Sequence, residues 1–455
     1  MYRTREELDA AWEMVEQRKQ KLEERRQSLY NGTFTNQIDL LGQKVGQLQQ
    51  EKQLLEERCD VLQRDNDRVY AGHRGLEEEI NFLKYRISAL DGLHESVVQG
   101  TGIHDGSLKK YKCMYPFERI EILPRGEVYT CCSSYVKHNY YIGNFYEQSF
   151  DEIWNSERAL KMRYSVSNGN FEYCMENCKW LHKDNIENGT DTASTNPIVL
   201  RTEQDNVDSW RECYTEKMPR FITLTCDETC NLRCPTCRST AKALKKADAE
   251  ILYERLEDVL RPMLRDCELL GALGCGDLFA SYALTKFYAT LTAEEFPKLK
   301  LYIITNLQLL TPEKWEELGN LHAIPIRFGV SVDAVNEETY KLNRRGGDWK
   351  RLLENLSFLR EWRKREDNNI EFLCLHFVVQ ENNFRQVEDF ARFGEEYGAD
   401  TVEFQRLGNW GTFSDEEFAW RNVLNPNHEL HEEAVTCLRN VMEKEWKVKI
   451  VQNIL

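Results

Sequence analysis

The sequence predicts an α/β fold: a partial (β/α)6 barrel, preceded by a small cysteine-rich α+β domain and a long N-terminal coiled coil. Six strand-like runs alternate with amphipathic helices in the C-terminal half, cysteines cluster in the middle, and leucines recur every seven residues near the start. Such alternation favours a parallel sheet, and sustained heptads favour a coiled coil. The 455 residues therefore divide into a coiled-coil stalk (1–100), a cysteine domain (101–185), a linker (186–218) and a barrel domain (219–455).

The N-terminal region carries the pattern of a two-stranded coiled coil. Apolar residues stand at strict seven-residue intervals, and a second set takes the partner positions: Leu41, Leu48, Leu55, Leu62, Val69, Leu76, Leu83 and Leu90, with Ile38, Val45, Ile80 and Ile87. The middle partner positions hold Lys52, Cys59, Asn66 and His73. A buried Asn at such a position favours a parallel dimer. The heptads therefore predict a homodimer, and a helix that folds back on its own chain is the alternative.

Composition excludes several classes of protein. Lys and Arg number 60 against 76 Asp and Glu, so the net charge of −16 argues against a nucleic-acid or anionic-membrane partner. The sequence has no run of about eighteen apolar residues and no apolar signal core at its start. These features predict a cytoplasmic protein with no nucleic-acid and no membrane partner.

The cysteine domain has the spacing of a metal site. Fifteen cysteines in a chain without a secretion signal indicate metal binding or catalysis rather than disulfides. Cys113 comes first, the pair Cys131-Cys132 follows a predicted hairpin turn at Pro124–Gly126, and Cys174-x3-Cys178 closes the domain. These cysteines can surround one metal centre, and zinc would satisfy the same four thiolates as iron. The spacing therefore predicts a metal site without naming the metal.

Six strand–helix repeats follow the polar linker. The predicted strands are 221–226, 268–274, 299–305, 325–332, 370–379 and 400–406. The predicted helices lie around 241–265, 281–294, 312–319, 348–365, 384–398 and 428–444. In such folds chemistry is found at the C-terminal ends of the strands. The loop after the first predicted strand should therefore lie at the functional edge of the sheet.

That loop carries Cys230-x3-Cys234-x2-Cys237, a spacing that lets three thiolates converge on one inorganic cluster. A four-iron cluster with only three protein thiolates keeps one iron open to another molecule. Cys226, at the end of the same strand, is interpreted as a structural thiol. The loop is therefore the centre of the predicted site.

A three-cysteine loop after the first strand, ahead of six βα units, resembles the radical S-adenosylmethionine (SAM) enzymes. The resemblance implies that SAM binds the open iron and that an electron from the cluster cleaves it to a 5′-deoxyadenosyl radical, which abstracts a substrate hydrogen. It also implies SAM-binding residues at successive strand ends. In chain order these are Gly274, Gly276 and Asp277 toward the methionine amino group, Thr305 and Asn306, Ser331 and Asp333 toward the carboxylate and ribose, and Arg344 in the turn that follows.

The cysteine domain resembles a SPASM or Twitch auxiliary iron–sulfur domain, here placed before the barrel. The Cys113…Gly126-x4-Cys131 spacing and the segments Ile142-Gly143-Asn144 and Glu152-Ile153-Trp154-Asn155-Ser156 carry the resemblance. The simplest inference from it is one auxiliary [4Fe-4S] cluster. Its implied ligands are Cys113, Cys131, Cys174 and Cys178, with Cys132 as the alternative to Cys131.

Together these resemblances imply a radical SAM oxidoreductase or modifying enzyme that oxidises, cross-links or epimerises a peptide or sugar-like substrate. The auxiliary cluster would accept an electron or ligate the substrate, and flavodoxin or ferredoxin would donate electrons. The alternative is a non-catalytic coiled-coil scaffold with structural zinc modules. No general base stands out, His376 is interpreted as a core or rim histidine, and the loop Leu407–Phe413 is expected to border the active site.

Overall fold

The computed structural model describes residues 107–137, 139–176, 178–181 and 196–452, and three single helical positions, Gln20, Gln50 and Gln53. The predicted coiled-coil stalk, apart from those three positions, lies outside the described residues, as does the first part of the predicted linker. Of the described residues, those between 107 and 408 and between 419 and 452 belong to one compact unit, and the segment 409–418 belongs to another. Within the described ranges, no helix combines the length and apolar character needed to cross a bilayer.

Twelve strands lie within the described residues, and ten of them form one sheet. In chain order they are β1 Tyr111–Cys113, β2 Arg119–Ile122, β3 Glu127–Tyr129, β4 Gly143–Asn144, β5 Ile198–Leu200, β6 Phe221–Leu224, β7 Leu269–Ala272, β8 Lys300–Thr305, β9 Ile326–Ser331, β10 Ile370–Val379, β11 Thr401–Arg406 and β12 Lys449–Gln452. The large sheet has the order β12-β11-β10-β9-β8-β7-β6-β2-β3-β4. Strands β6 to β12 are all parallel, and β1 pairs with β5 separately.

Three of the described α-helices lie in the cysteine domain, and the others lie between the parallel strands. They are α1 Tyr115–Glu118, α2 Phe150–Trp154, α3 Glu157–Ser167, α4 Lys246–Arg255, α5 Tyr282–Ala289, α6 Pro312–Glu317, α7 Glu337–Asn343, α8 Trp349–Trp362, α9 Val387–Glu396, α10 Asp415–Arg421 and α11 His431–Met442. Several start at a residue whose side chain accepts a bond from the first turn, as Ser281 does for α5 and Asp348 for α8. Such caps satisfy N–H groups that have no partner within the helix.

All six predicted barrel strands are present and parallel, which confirms a mixed α/β fold with a parallel sheet. The structure adds four strands to the sheet, and two of these pair directly with the predicted six. β12 pairs with β11 beyond the sixth predicted strand, and β2 of the cysteine domain pairs in parallel with β6. The hairpin turn was predicted: β2 and β3 are antiparallel, and Gly126 in the turn has φ +85°. The cysteine domain and the barrel therefore share one sheet.

The two faces of this sheet differ in chemistry. Because side chains alternate along a strand, Leu373, Leu375 and Phe377 of β10 lie on one face and Cys374 and His376 on the other. The first face packs against helices, since the Phe377 and Phe390 rings lie 4.6 Å apart. The opposite face, called the inner face here, carries polar side chains on β8 to β11.

The described part of the predicted linker, residues 196–218, differs from a free connector because it packs on the cysteine domain. β5 pairs with β1, and Trp154 Nε1 donates to the carbonyl oxygen of Lys217 at 2.9 Å. Ile198 and Cys213 are buried within this otherwise polar segment. A few buried side chains were enough to order a stretch whose composition is typical of a linker.

The loop 407–413 is described in part by its own hydrogen bonds. Asn409 Oδ1 accepts from the backbone N–H of Gly411 at 3.1 Å, and Trp410 is exposed. Its expected position at the border of the active site stays a prediction.

Candidate functional site

The cysteine loop, residues 226–238, follows β6 and is held closed by its own backbone. The N–H groups of Cys237 and Arg238 both donate to the carbonyl oxygen of Cys234 at 2.9 Å, and the Cys230 N–H donates to Lys242 at 2.9 Å. These bonds turn the chain tightly between the second and third predicted ligands. Cys226 is buried at the strand end, as a structural thiol would be.

Arg238 contacts the sulfur of the exposed third cysteine. Its Nε and Nη2 atoms lie 3.4 and 3.3 Å from Cys237 Sγ, and its Nη1 donates to Glu228 O at 2.6 Å. Nη2 also donates to the carbonyl oxygen of Cys275. The guanidinium therefore places a permanent positive charge on a predicted cluster ligand. Arg238 was not predicted, although its position directly after the third cysteine was a usable signal.

The other two sulfurs also have N–H donors. Cys230 Sγ lies 3.5 Å from the Leu232 backbone nitrogen and 3.6 Å from Asn306 Nδ2, and Cys234 Sγ lies 3.8 Å from Arg344 Nη1. Donors around sulfur ligands stabilise the thiolate form and tune a bound cluster. The donor set of the loop therefore fits three thiolates on an iron–sulfur cluster.

The segment 274–277 is seated against the backbone of the cysteine loop. Gly274 has φ +99°, a conformation that side-chain-bearing residues rarely adopt. A Cβ on Gly276 would lie 2.8 Å from Thr229 O and closer still to Asp227 O. The Asp277 N–H donates to Thr229 O at 2.9 Å. The predicted glycines are therefore required for close approach to the loop.

Asp277 joins the end of β7 to the end of β8. Its Oδ2 accepts from Thr305 Oγ1 and from the Asn306 N–H, both at 2.8 Å, and its Oδ1 accepts from the Phe279 N–H. Burial raises the pKa of Asp277, and these donors oppose that rise. Its described contacts thus make Asp277 a residue that positions Thr305 and Asn306. A direct contact with the SAM amino group stays a prediction.

Asp333 and Arg344 form a buried ion pair beside the cysteine loop. Arg344 Nη2 lies 2.7 Å from Asp333 Oδ2, and the Val378 N–H donates to Asp333 Oδ1 at 2.7 Å. Asp333 has φ +60°, an uncommon conformation that its short polar side chain tolerates. Since Arg344 also reaches Cys234, the pair links the end of β9 to the loop. Ser331, the predicted residue before it, pairs in register with His376 on the inner face.

His376 lies on the inner face with Cys374 and Glu403. Burial, with a smaller contribution from Arg344, lowers the pKa of His376 to about 4, so the imidazole is neutral at physiological pH. His376 is buried, as a core histidine would be, but the sequence did not indicate that the Cys374 thiol and the Glu403 carboxylate lie beside it. Their proximity depends on pairing between β10 and β11, which residue spacing does not show.

The predicted auxiliary ligands Cys113, Cys131, Cys174 and Cys178 line a single cavity. The remainder of the lining is largely apolar: Pro116, Tyr135, Val136, Met162, Val166, Phe171, Trp180, Leu181 and Ile198. The structure thus brings together cysteines separated by up to 65 residues in sequence (178 − 113). This cavity is called the SPASM cavity below.

Cys132, the alternative to Cys131, has different surroundings. Burial and then Glu121 raise the pKa of its thiol, which bonds to Ser134, and it is not part of the cavity lining. The geometry favours Cys131 as the ligand.

The thiols of the SPASM cavity fit a metal cluster on charge grounds. Burial, together with neighbouring thiols, raises the pKa of Cys113 and Cys131 well above the usual range. Four thiolates so close would repel one another without a cation, and metal binding displaces their protons. Backbone N–H groups of Tyr115, Trp180 and Leu181 provide bonds to two of these sulfurs.

Two family models match the chain over these two sites. Residues 113–179 match the SPASM iron–sulfur cluster-binding domain, and residues 227–393 match the radical SAM superfamily. The first match begins at Cys113 and the second includes the whole Cys230–Cys237 motif. The chain therefore contains a radical SAM domain and a SPASM domain. This radical SAM enzyme therefore has a SPASM domain, and its cofactors are a [4Fe-4S] cluster, SAM and an auxiliary iron–sulfur cluster.

Solved structures similar to this radical SAM enzyme include two of SuiB from Streptococcus suis. SuiB bound to S-adenosylmethionine is 15% identical to this chain, with a TM-score of 0.38. The match covers 52% of this chain and 51% of the SuiB chain. SuiB bound to precursor peptide SuiA is 14% identical, covers 68% and 65%, and has a TM-score of 0.34. Native anSMEcpe with bound AdoMet is 19% identical, covers 49% and 61%, and has a TM-score of 0.34.

The chain spans between 47% and 65% of the length of the first SuiB structures that it matches. No curated protein sequence gives a match. The two family models favour an enzyme over the alternative of a non-catalytic scaffold with structural zinc modules.

Proposed function

We propose that this radical SAM enzyme is an oxidoreductase or modifying enzyme whose two clusters act on one substrate. A [4Fe-4S] cluster bound by the three thiolates would supply the electron for reductive cleavage of SAM, and the resulting 5′-deoxyadenosyl radical would remove a substrate hydrogen. The observation that carries the proposal is that the segments after β7 and β8 are bonded to the cysteine loop, as is Arg344, the partner of Asp333 after β9. Cys230, Cys234 and Cys237 are proposed as the cluster ligands.

The SAM-binding residues are proposed from the same contacts. Gly274 and Gly276 let the backbone after β7 approach the loop, and Asp277 fixes the positions of Thr305 and Asn306. Ser331, Asp333 and Arg344 complete the set after β9. Arg238 is added as a residue that positions Cys237 and offsets its negative charge.

The auxiliary cluster is proposed to be one [4Fe-4S] cluster on Cys113, Cys131, Cys174 and Cys178. It would accept an electron from the substrate or ligate the substrate. The shared sheet supports this role, because β2 pairs with β6 and so connects the SPASM domain directly to the strand that precedes the cysteine loop. Such a connection gives the two clusters a rigid relationship.

The substrate is proposed to be a peptide or sugar-like molecule bound along the inner face. Tyr302, Arg327 and Glu403 place polar and charged groups on that face, and Arg327 lies over the Phe372 ring at 4.7 Å. Flavodoxin or ferredoxin is the proposed electron donor. A homodimer formed by the heptads and a cytoplasmic location complete the proposal.

The decisive experiment measures iron and SAM cleavage in the same anaerobic samples. We expect about eight irons per chain and formation of 5′-deoxyadenosine after reduction, since two four-iron clusters are proposed. The Cys230→Ala/Cys234→Ala/Cys237→Ala variant should keep about four irons and form no 5′-deoxyadenosine.

Cys437→Ser is the control, since Cys437 lies on α11, outside the cysteine loop and the cavity lining, and it should behave as the unchanged protein. Cleavage of SAM by the triple variant would overturn the ligand assignment. Zinc in place of iron at the two cysteine sites would overturn the proposed enzymatic function.

A further inference from the structure

The inner face holds a third group of metal-ligating side chains, separate from both cysteine sites. Ligand atoms of Cys374, His376 and Glu403 all lie within 4.8 Å of one another. Cys374 and His376 are two residues apart on β10, and so they share a face. Glu403 of β11 is the register partner of His376. Strand pairing thus brings a thiol, an imidazole and a carboxylate to one point.

The His376 ring is buried without the hydrogen bond that such burial normally requires. The residue is 4% exposed, and Nε2 has no hydrogen-bond partner among the described residues. Its nearest acidic neighbour, Glu403 Oε2, lies 3.5 Å away, beyond the usual 2.7–3.2 Å of an N–H···O bond. Buried polar atoms in native proteins are nearly always satisfied, so this nitrogen indicates a missing ligand.

The separation of these atoms suits a metal ion. Two nitrogen or oxygen ligands held about 2.0–2.2 Å from a tetrahedral ion lie about 3.3–3.6 Å apart. The Nε2–Oε2 distance of 3.5 Å falls in that interval. Gly329 leaves room for the ring, because a Cβ there would lie 3.2 Å from His376 Nε2 and 2.6 Å from Cε1.

We propose that Cys374, His376 and Glu403 bind a divalent cation of the zinc class. Sulfur, imidazole and carboxylate ligands together suit zinc, and three protein ligands with an open fourth position are typical of reactive rather than structural zinc sites. A thiolate and a carboxylate would balance the two positive charges of the ion. This balance suits a buried position, where uncompensated charge is costly.

The neighbours define what the open position can take. Arg327 adds a positive charge near Cys374, with its guanidinium over the Phe372 ring, and so favours an anionic fourth ligand. The backbone N–H of Val332 donates to His376 O at 3.1 Å, so the site adjoins the proposed SAM-binding end of β9. The fourth ligand is therefore a carboxylate or another oxygen donor of the substrate. This last step rests on the proposed function, whereas the metal site does not.

The test is zinc uptake by the full chain after both iron–sulfur clusters have been loaded. Zn²⁺ is added, excess is removed, and zinc and iron are counted in the same sample. We expect about one zinc per chain, with X-ray absorption at the zinc edge giving one sulfur at about 2.3 Å and nitrogen or oxygen at about 2.0–2.2 Å. Iron should stay unchanged.

Variants of the three ligands should lose the zinc and keep the iron. Cys374→Ala, His376→Gln and Glu403→Gln should each reduce zinc affinity more than tenfold. Cys267→Ala is the matched control, because Cys267 is another fully buried cysteine outside the group, and it should retain zinc. Glu403→Gln is nearly isosteric, so it tests the site even if a larger change prevents folding.

The proposal is overturned if the iron-loaded protein takes up no zinc, or if Cys374→Ala and Glu403→Gln bind as much as the unchanged chain. SAM cleavage measured on the same samples separates the two proposals. Zinc binding without any cleavage would leave the metal site standing and contradict the proposed function. SAM cleavage without zinc uptake would support the proposed function and contradict the metal site.

Discussion

The cysteine loop and the SPASM cavity surround their thiols with opposite kinds of neighbour. In the loop, Cys237 is exposed, and two arginines and an asparagine point N–H groups at the sulfurs. In the cavity, Cys113 and Cys178 are buried, and the other lining residues are mostly apolar or aromatic. The loop has polar neighbours and exposes one of its three thiols, whereas the cavity is largely apolar and exposes none of its four.

This difference agrees with different tasks for two clusters of similar chemistry. Cationic donors next to the loop sulfurs lower the net charge of a bound cluster and leave room for a charged molecule beside it. An apolar cavity with four thiols excludes water and offers one thiolate for each iron, which favours electron acceptance over ligation of the substrate. The surroundings therefore suit the loop to a reaction with SAM and the cavity to electron storage.

The largest effect should come from removing ligands of the SPASM cavity. Cys174→Ala/Cys178→Ala should lower the iron content from about eight to about four per chain, because only the loop cluster remains. SAM cleavage without substrate should stay within about threefold of the original rate, while product formation is lost. Iron analysis checks the number of clusters, and quantification of 5′-deoxyadenosine checks the rate of SAM cleavage.

Cys132→Ala is the matched control and should keep all the iron, since that thiol is not part of the cavity lining. If Cys132→Ala loses the cluster and Cys131→Ala does not, the assignment of these two neighbours is reversed. An unchanged iron content in the double variant would contradict the proposal that these cysteines hold an auxiliary cluster.

The second prediction concerns the ion pair at the loop. Arg344→Met leaves Asp333 buried with an unpaired charge, which should lower the free energy of unfolding by about 3–5 kcal/mol. It also removes the donor to Cys234, so SAM cleavage should fall more than tenfold. Denaturant unfolding of the cluster-loaded chain measures the first quantity.

A double variant separates these two effects. Arg344→Met/Asp333→Asn removes both charges and should recover much of the stability, but not the cleavage rate. Equal stability of the single and double variants would show that the charge of Asp333 is not what makes Arg344 necessary.

The third prediction tests how the SPASM cavity is supported. Arg163 of α3 is fully buried, and its guanidinium donates to Pro116 O at 2.9 Å, Trp154 O at 2.8 Å and Asn155 Oδ1 at 3.0 Å. Burial lowers its pKa to about 10, so it stays charged at physiological pH. Arg163→Met should cost about 3 kcal/mol, because buried acceptors lose their donors.

The auxiliary cluster should then be lost at a lower temperature than the loop cluster, which thermal melts followed by absorbance can resolve. Arg163→Lys keeps the charge but lacks the forked donors, so it should resemble the Met variant. A melt in which both clusters disappear together would mean that Arg163 supports the shared sheet rather than the cavity.

Much of the barrel could be predicted because its strands and loops follow local rules. The run that became β6 and the cysteine spacing after it can be recognised in a short window, and strand ends of parallel units meet at one edge. That reasoning placed Asn306, Asp333 and Arg344 near the cysteines, where the structure also has them.

What could not be predicted depends on pairing over long distances in sequence. β2 and β6 are separated by about a hundred residues, and no local pattern indicates that they share a ladder. β12 is short and starts with a lysine, so it lacks the apolar run of a central strand. For the same reason, the meeting of Cys374 with Glu403 required the β10–β11 register.

The smallest predicted effect tests the junction between the SPASM domain and the barrel, where β2 pairs with β6. Glu121 of β2 is buried beside Cys132, and it accepts a bond from the Ser133 N–H at 2.6 Å. Burial raises the pKa of Glu121 above its ordinary value of 4.5, with the Ser133 N–H opposing the rise. The folded chain therefore holds this proton more tightly than the unfolded chain.

The sign follows from proton linkage. Stability from this group is greatest below the ordinary pKa and falls as pH rises through the raised value, because ionising a buried carboxyl costs more than ionising it in water. Glu121→Gln keeps an acceptor for Ser133 but does not titrate. It should therefore remove the loss of stability that Glu121 causes as pH rises, and change the free energy of unfolding by less than about 1 kcal/mol.

Unfolding free energies measured from about pH 5 to about pH 8 give the slope of stability against pH, with Glu127→Gln as the control on β3. Identical slopes for the two variants would mean that the junction between the domains is wetter than the burial of Glu121 indicates.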